Sequence, residues 1–162
     1  MILYFVRHGR AEAREDWAPQ DDRLRPLTED GIARMKRSAA TMKALKVRPD
    51  VILTSPLTRA YQTAEIVSDT LDVPCETVDA LAHFGVGALS ELIALHNGKR
   101  KLMLVGHEPD FSTVIEMITG GGHVVVKKGS LIRVDLYALR PPRGYLVWSI
   151  PPAALVLGPN DR

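Results

Sequence analysis

Three polar motifs in this chain follow directly after short apolar segments. Each one stands where a buried strand is expected to end: Arg7-His8-Gly9, Thr54-Ser55 and Gly106-His107. Ligands of open α/β sheets bind beyond the carboxyl ends of the strands. If these strand ends lie together, the imidazoles of His8 and His107 lie close to the guanidinium of Arg7. Arg59 joins them because it follows Ser55 by one helical turn. Arginine forks match phosphate oxygens, so the sequence predicts an anion site that suits a phosphate group.

This combination of residues also suggests a reaction. A neutral imidazole is a competent nucleophile, and phosphoryl transfer depends mainly on positioning and neutralisation of charge. Flanking arginines are expected to lower the pKa of His8 and keep it neutral. Gly9, which has no Cβ, is expected to let the backbone approach a bound oxyanion. Such a reaction requires no metal and no cofactor.

Other chemical motifs are incomplete. Residues 122–128 lack the glycine that precedes the lysine of a phosphate loop, and residues 85–90 lack the third glycine of a dinucleotide fingerprint. His107-Glu108 has Phe111 where a zinc protease needs its second histidine. The chain has no GxSxG elbow and no cysteine pair. These absences argue against a serine hydrolase and against a zinc enzyme.

Composition predicts one globular domain over residues 1–162. Hydrophobic residues make up 46% and charged residues 25% of the 162 residues, as in ordinary soluble proteins. The net charge of +2 is too small to indicate nucleic acid as a partner. Cys75 is the single cysteine, no apolar run is long enough to span a bilayer, and no signal peptide is visible. We therefore expect a cytoplasmic protein with no membrane partner.

Apolar runs and helix signals alternate along the chain. Strands are predicted near residues 2–6, 51–53, 75–78, 101–105, 131–139 and 145–150, and helices near residues 29–46, 56–71, 89–95 and 109–119. Thr28 is expected to cap the first helix and Ser55, followed by Pro56, the second. Residues 10–27 fit a long irregular loop, and Lys127-Lys128 fits a solvated turn. The alternation predicts a three-layer α/β/α sandwich with a mainly parallel central sheet.

Together, the motifs resemble those of a known family. Arg7-His8-Gly9, the segment from Ser55 through Arg59 to Ala64, and Val105-Gly106-His107 occur in this order in the histidine phosphatase superfamily, also called phosphoglycerate-mutase-like. The segment 25–28 followed by Gly31, the short chain and the final Trp148-x-x-Pro151 are similar to its SixA-type phosphohistidine phosphatase branch. The resemblance covers residues 2 to about 157.

The resemblance implies a role for each matching residue. His8 would attack phosphorus and carry a transient phosphohistidine, which water then hydrolyses. Arg7 and Arg59 would bind the phosphate oxygens, His107 would stabilise the transition state, and Arg25 matches an arginine of the phosphate pocket in this branch. Ser55 is weighed both as a helix cap and as a phosphate ligand. The implied partner is a phosphorylated substrate, such as a signalling protein that carries phosphohistidine.

Two departures from the family pattern bear on the substrate. The RHG motif is followed by Arg10, where the wider superfamily usually has an acidic residue or Gln. Residues 78–83 contain no glutamate at the place where larger members have a general acid, and Asp79 is the candidate substitute. A phosphoramidate leaving group needs less protonation than an alkoxide. Phosphohistidine is therefore favoured; the alternatives are a small-molecule phosphomonoesterase of the same superfamily and a non-catalytic phosphate- or phosphoprotein-binding module.

Overall fold

A computed structural model describes residues 1–156, which form one six-stranded sheet with helices on both faces. The helices, in chain order, are α1 (Arg14–Trp17), α2 (Glu29–Ala44), α3 (Thr58–Leu71), α4 (Val86–Leu95), α5 (Asp110–Thr119) and α6 (Pro152–Val156). The strands are β1 (Ile2–Arg7), β2 (Val51–Thr54), β3 (Cys75–Thr77), β4 (Lys101–Gly106), β5 (Leu131–Leu139) and β6 (Pro142–Ile150). Short 3₁₀ turns lie at Asp22–Leu24 and Asp79–Ala82.

The sheet has the order β3-β2-β4-β1-β5-β6. The first four of these strands are parallel to one another, whereas β5 pairs antiparallel with both β1 and β6. The predicted α/β sandwich with a mainly parallel sheet is therefore confirmed, and two antiparallel pairings at one edge complete it.

The apolar run of β1 explains why a strand forms there. Leu3 and Phe5 face the core that α4 and α5 cover, whereas Tyr4 and Val6 face the core under α2, α3 and α6. All four side chains are buried, as expected for a strand covered on both faces. This arrangement places β1 in the middle of the molecule and its carboxyl end at the centre of one sheet edge.

Most predicted elements are present with shifted ends. The Thr28 side chain accepts a hydrogen bond from the Gly31 N–H at 2.9 Å, which confirms the cap of α2. The loop of residues 10–27 contains α1 and a 3₁₀ turn, and α6 follows β6 although no helix was predicted there. None of the helices described within residues 1–156 is long and apolar enough to cross a membrane.

The predicted cap at Ser55 is wrong. Helix α3 begins at Thr58, and its N-terminal flanking residue is Leu57, which makes no side-chain cap. The Ser55 hydroxyl instead contacts the Leu57 N–H at 3.3 Å, before the helix, and the ring of His107 at 2.8 Å. A contact with a distant strand end has therefore replaced the local helix cap.

Candidate active site

The parallel strands β2, β4 and β1 bring the three polar motifs to one edge of the sheet. Arg7 pairs with Gly106, and Thr54 pairs with Val105. Two further backbone bonds extend the pairing past the strand ends, from His8 N–H to the Gly106 carbonyl and from Ser55 N–H to the Val105 carbonyl, both at 3.0 Å. The residues after each strand are therefore held side by side.

A cavity of about 640 Å³ lies at this edge. Five of the side chains that the sequence assigned to phosphate binding or catalysis line it: Arg7, His8, Arg25, Arg59 and His107. Ser55 does not line it. His8, Arg25, Arg59 and His107 are only 5%, 7%, 6% and 8% exposed. The convergence predicted from the sequence is thus present in the fold.

His8 is oriented by its own backbone. Its Nδ1 lies 2.7 Å from the carbonyl oxygen of Gly9, which can only accept a hydrogen bond, so Nδ1 carries the proton. Burial is the main cause that lowers the pKa of His8 to about 3, and the positive charges of Arg59 and Arg7 add to it. The ring is therefore neutral near pH 7, and its Nε2 has a free lone pair.

His107 faces His8 across the site. The ring centroids are 5.2 Å apart, and the planes are inclined by 54°. Burial, followed by the charges of Arg59 and Arg7, lowers the pKa of His107 to about 4. Both imidazoles are consequently neutral in the cavity, and the arginines provide the positive charge.

Several buried nitrogens of this site have no hydrogen-bond partner. Within residues 1–156, the buried side-chain nitrogens that have no hydrogen-bond partner are Nε of Arg7, Nε of Arg59 and Nδ1 of His107. Arg7 donates to the main-chain carbonyl of Val126 and Arg59 to that of Asp22, and Arg59 also forms an ion pair with the Asp22 carboxylate. Buried polar groups in native proteins are nearly always satisfied, and these three belong to residues that line one cavity.

Arg25 reaches the cavity from the loop between β1 and α2. Its Nε donates to the Asp22 carboxylate at 2.8 Å, and its Nη1 donates to the Glu12 carbonyl at 2.7 Å. These bonds hold the guanidinium beside that of Arg59 and bury it. Arg25 therefore lines the same cavity as Arg59.

Gly9 and Ser55 differ from what was expected. The Gly9 N–H donates to the Thr63 hydroxyl at 3.1 Å, and a Cβ on Gly9 would meet Cγ of Met35 at 2.7 Å. The missing side chain therefore relieves packing against α2 and does not open a path to an oxyanion. Ser55 is fully buried and does not line the cavity, so it contacts His107 in place of a ligand.

Asp79 does not line this cavity. It lies exposed in the 3₁₀ turn after β3 and is absent from the cavity lining. The carboxylates that line the cavity are Glu12, Glu15, Asp16 and Glu108. Glu108 follows His107 directly, and its Oε1 accepts the Ser112 N–H at 3.0 Å. Adjacency to a motif histidine is the one sequence signal that could have identified it.

Lys128 also lines the cavity, although the sequence suggested a solvated turn. Gly129, the next residue, donates its N–H to the carbonyls of Arg7 and His8 at 3.0 and 3.2 Å, which fixes this turn against the site. Burial, followed by the charge of Arg7, lowers the pKa of Lys128. No local motif marks this lysine, because its position depends on a contact between the ends of β1 and the segment before β5.

Comparison with known proteins identifies the family. Residues 3–105 match the model of the histidine phosphatase superfamily (branch 1). The phosphohistidine phosphatase SixA of Escherichia coli is 36% identical over 114 residues, which cover 67% of this chain and 68% of that protein. An uncharacterized protein of Picosynechococcus is 40% identical over 147 residues, covering 86% and 88%.

The fold leads to the same group of proteins. A solved structure of the protein histidine phosphatase SixA complexed with tungstate superposes with a TM-score of 0.84 at 28% identity, covering 96% of this chain and 99% of the other. The family match, the relatives and the fold agree with the geometry of the cavity. The chain therefore belongs to branch 1 of the histidine phosphatase superfamily.

Proposed function

We propose that this chain, as a single catalytic domain, hydrolyses phosphohistidine on a protein through a covalent phosphate on His8. The observation that carries the proposal is the convergence of Arg7, Arg25, Arg59 and His107 on one cavity that also contains the neutral ring of His8. A tetrahedral oxyanion supplies acceptors for such donors. The tungstate in the SixA structure is an oxyanion of this shape.

The first step transfers the phosphoryl group to the enzyme. The lone pair of His8 Nε2 forms a bond to phosphorus, and the P–N bond of the substrate breaks with its electron pair moving to the departing imidazole. That imidazole takes up a proton from solvent. Arg7, Arg25 and Arg59 hold the equatorial oxygens and neutralise their charge. His107 donates from Nδ1 because its Nε2 is engaged by Ser55.

The second step releases phosphate. A water oxygen attacks phosphorus, the bond to His8 Nε2 breaks, and the electron pair returns to the ring. The water proton passes to solvent, and inorganic phosphate leaves the cavity. Because the ring of His8 has a strongly lowered pKa, it returns to the neutral form that starts the next cycle.

Phosphohistidine is the substrate that the lack of a glutamate in residues 78–83 favours. A P–N bond to a histidine needs less help from a protein acid than the P–O bond of an alkyl phosphate. The E. coli relative is named as a phosphohistidine phosphatase. A phosphorylated protein is accordingly the proposed partner, and a small phosphomonoester is the alternative substrate.

Capture of the intermediate tests this proposal. A protein phosphorylated on histidine with radiolabelled phosphoramidate is mixed with the enzyme in EDTA, and the reaction is quenched within milliseconds. We expect label on the enzyme that is stable to base and labile to acid, located on the peptide that contains His8. Phosphate release with no such label, or equal release by the His8→Ala variant, would contradict the mechanism. A higher kcat/KM for aryl phosphate than for the phosphohistidine protein would instead favour the alternative substrate.

A further inference from the structure

The carboxylate of Asp22 contacts three guanidinium groups. Oδ1 accepts from Nε of Arg25 at 2.8 Å and lies 3.3 Å from Nε of Arg14, while Oδ2 lies 3.3 Å from Nη2 of Arg59. The main-chain oxygen of Asp22 also accepts from Nη1 of Arg59 at 2.9 Å. One residue of the loop is thus bonded to both of the buried arginines that the proposed function assigns to phosphate.

Asp22 lies outside the cavity lining. Arg14, Arg25 and Arg59 all line the cavity, but Asp22 does not. A carboxylate occupying the place of a phosphate would be expected to line the cavity with them. Asp22 therefore supports the guanidiniums from outside the space that a ligand would enter.

The bonds to Asp22 fix the orientation of the guanidiniums of Arg25 and Arg59. They engage both terminal nitrogens of Arg59, Nη1 and Nη2, and the remaining Nε is one of the unsatisfied buried nitrogens. Arg25 uses Nε and Nη1 for Asp22 and Glu12. The orientation of each guanidinium is consequently set before a ligand arrives.

Asp22 also lowers the repulsion between the arginines. Burial is the main cause that lowers the pKa of Arg59, Asp22 opposes it, and the nearby Arg25 and Arg14 lower it further. Without the carboxylate, two buried cations would face each other in a site of reduced dielectric constant, at a substantial energetic cost. One negative charge among these arginines still leaves the cavity positive for a phosphate dianion.

We propose that Asp22 is a positioning residue of the phosphate site, which holds Arg25 of the loop and Arg59 of α3 together so that both can bind one phosphoryl group. The inference rests on the proposed function, because it takes these two arginines as phosphate ligands. Guanidinium groups that are already held in place lose less conformational entropy on binding than mobile ones. Asp22 is therefore expected to act mainly on the affinity for substrate.

The variant Asp22→Asn removes the charge and keeps the size of the side chain. Two measurements are made on the full chain: titration calorimetry with tungstate, and steady-state kinetics with an aryl phosphate. We expect the Kd of tungstate and the KM each to rise about tenfold, with kcat changed less than about threefold. Asp22→Glu should recover part of the affinity, because it restores the charge.

Asp21→Asn is the matched control. Asp21 is the neighbouring carboxylate and caps the same 3₁₀ turn through the Arg23 N–H at 2.9 Å, but no ion pair links it to the cavity arginines. We expect its Kd and KM to equal those of the wild type. If Asp21→Asn weakens tungstate as much as Asp22→Asn does, the effect comes from the fold of the loop, and the positioning role is overturned.

Coupling to Arg25 provides the second test. Arg25→Ala should weaken tungstate binding strongly in the wild type but only slightly in the Asp22→Asn background, since the arginine is no longer held. Unchanged or tighter binding by Asp22→Asn would overturn the inference. If that result accompanies a normal phosphoenzyme on His8, only the inference fails. If no phosphoenzyme forms but Asp22→Asn weakens tungstate, the proposed function fails and the inference stands.

Discussion

The hydroxyl oxygen of Ser55 lies 2.8 Å from Nε2 of His107. The same oxygen accepts the Leu57 N–H at 3.3 Å, so its hydrogen is free to be donated to the ring. We infer that the hydroxyl donates to Nε2, which places the proton of the neutral imidazole on Nδ1, the nitrogen without a protein partner. In this tautomer His107 presents an N–H donor at Nδ1, and Ser55, which lies outside the cavity lining, holds the other ring nitrogen.

Ser55→Ala should lower kcat/KM for an aryl phosphate about tenfold, the effect of losing one hydrogen bond that orients a functional ring. The loss should appear mostly in kcat if His107 acts in the transition state. Ser38→Ala is the control, because Ser38 is also buried but lies on α2, away from this cavity. Wild-type kinetics in Ser55→Ala would contradict the assigned tautomer.

His8→Ala should reduce kcat for an aryl phosphate by about 1000-fold or more in the presence of EDTA, because the nucleophile is lost. The arginines remain, so calorimetry should still detect tungstate binding, with Kd within about tenfold of the wild type. An active His8→Ala variant would rule out the covalent mechanism. Loss of binding together with loss of folding, checked by circular dichroism, would make the kinetic result uninformative, and His8→Asn then serves as the second variant.

The stability of the fold should decrease as the pH falls from 7 to 5. His8 has a pKa of about 3 in the folded chain, mainly through burial, and about 6.5 when unfolded, so only the unfolded state gains a proton in this range. The expected loss from His8 is about 2 kcal/mol in the free energy of unfolding, measured with urea at each pH.

Replacing His8 with Asn should remove about 2 kcal/mol of this pH dependence. His107, with a pKa of about 4, should contribute a similar decrease that persists in the variant. An identical slope for His8→Asn and wild type would show that His8 is not held neutral.

Gly31→Ala should destabilise the protein by at least about 2 kcal/mol. A Cβ at this position would overlap the backbone carbonyl oxygen of Arg10, which cannot move without shifting the end of the RHG segment. Gly87→Ala is the matched control in α4, where a Cβ meets nothing within 4 Å, and it should leave stability unchanged or raise it by up to about 1 kcal/mol. Urea unfolding of both variants measures the difference.

The strands that carry the site were predictable because their signals are local. A continuous apolar run such as residues 2–6 indicates a strand buried on both faces, and a polar motif at its end indicates where the strand stops. Parallel neighbours then bring such ends to one edge. His8, His107, Arg7 and Arg59 could therefore be expected at one place from sequence alone.

Interactions between remote side chains could not be predicted in this way. The sequence around Ser55 has the pattern of a helix cap, but the contact with His107 comes from the pairing of β2 with β4. Asp79 occupies a plausible position for an acid, but the turn after β3 leaves it exposed and outside the cavity. A glycine such as Gly9 has wide conformational freedom in any sequence. Only the packing of α2 shows that Met35 is its close neighbour.

The sequence by itself therefore determined the layers, the strand ends and the residue types of an anion site, because hydrophobic periodicity and terminal motifs act over a few residues. The tertiary structure decided which nitrogen of each histidine is free, which carboxylate holds the arginines, and which cations line the cavity. These features depend on hydrogen bonds and ion pairs between segments far apart in the chain, such as that of Asp22 with Arg59. Their geometry is set only when the helices pack on the sheet.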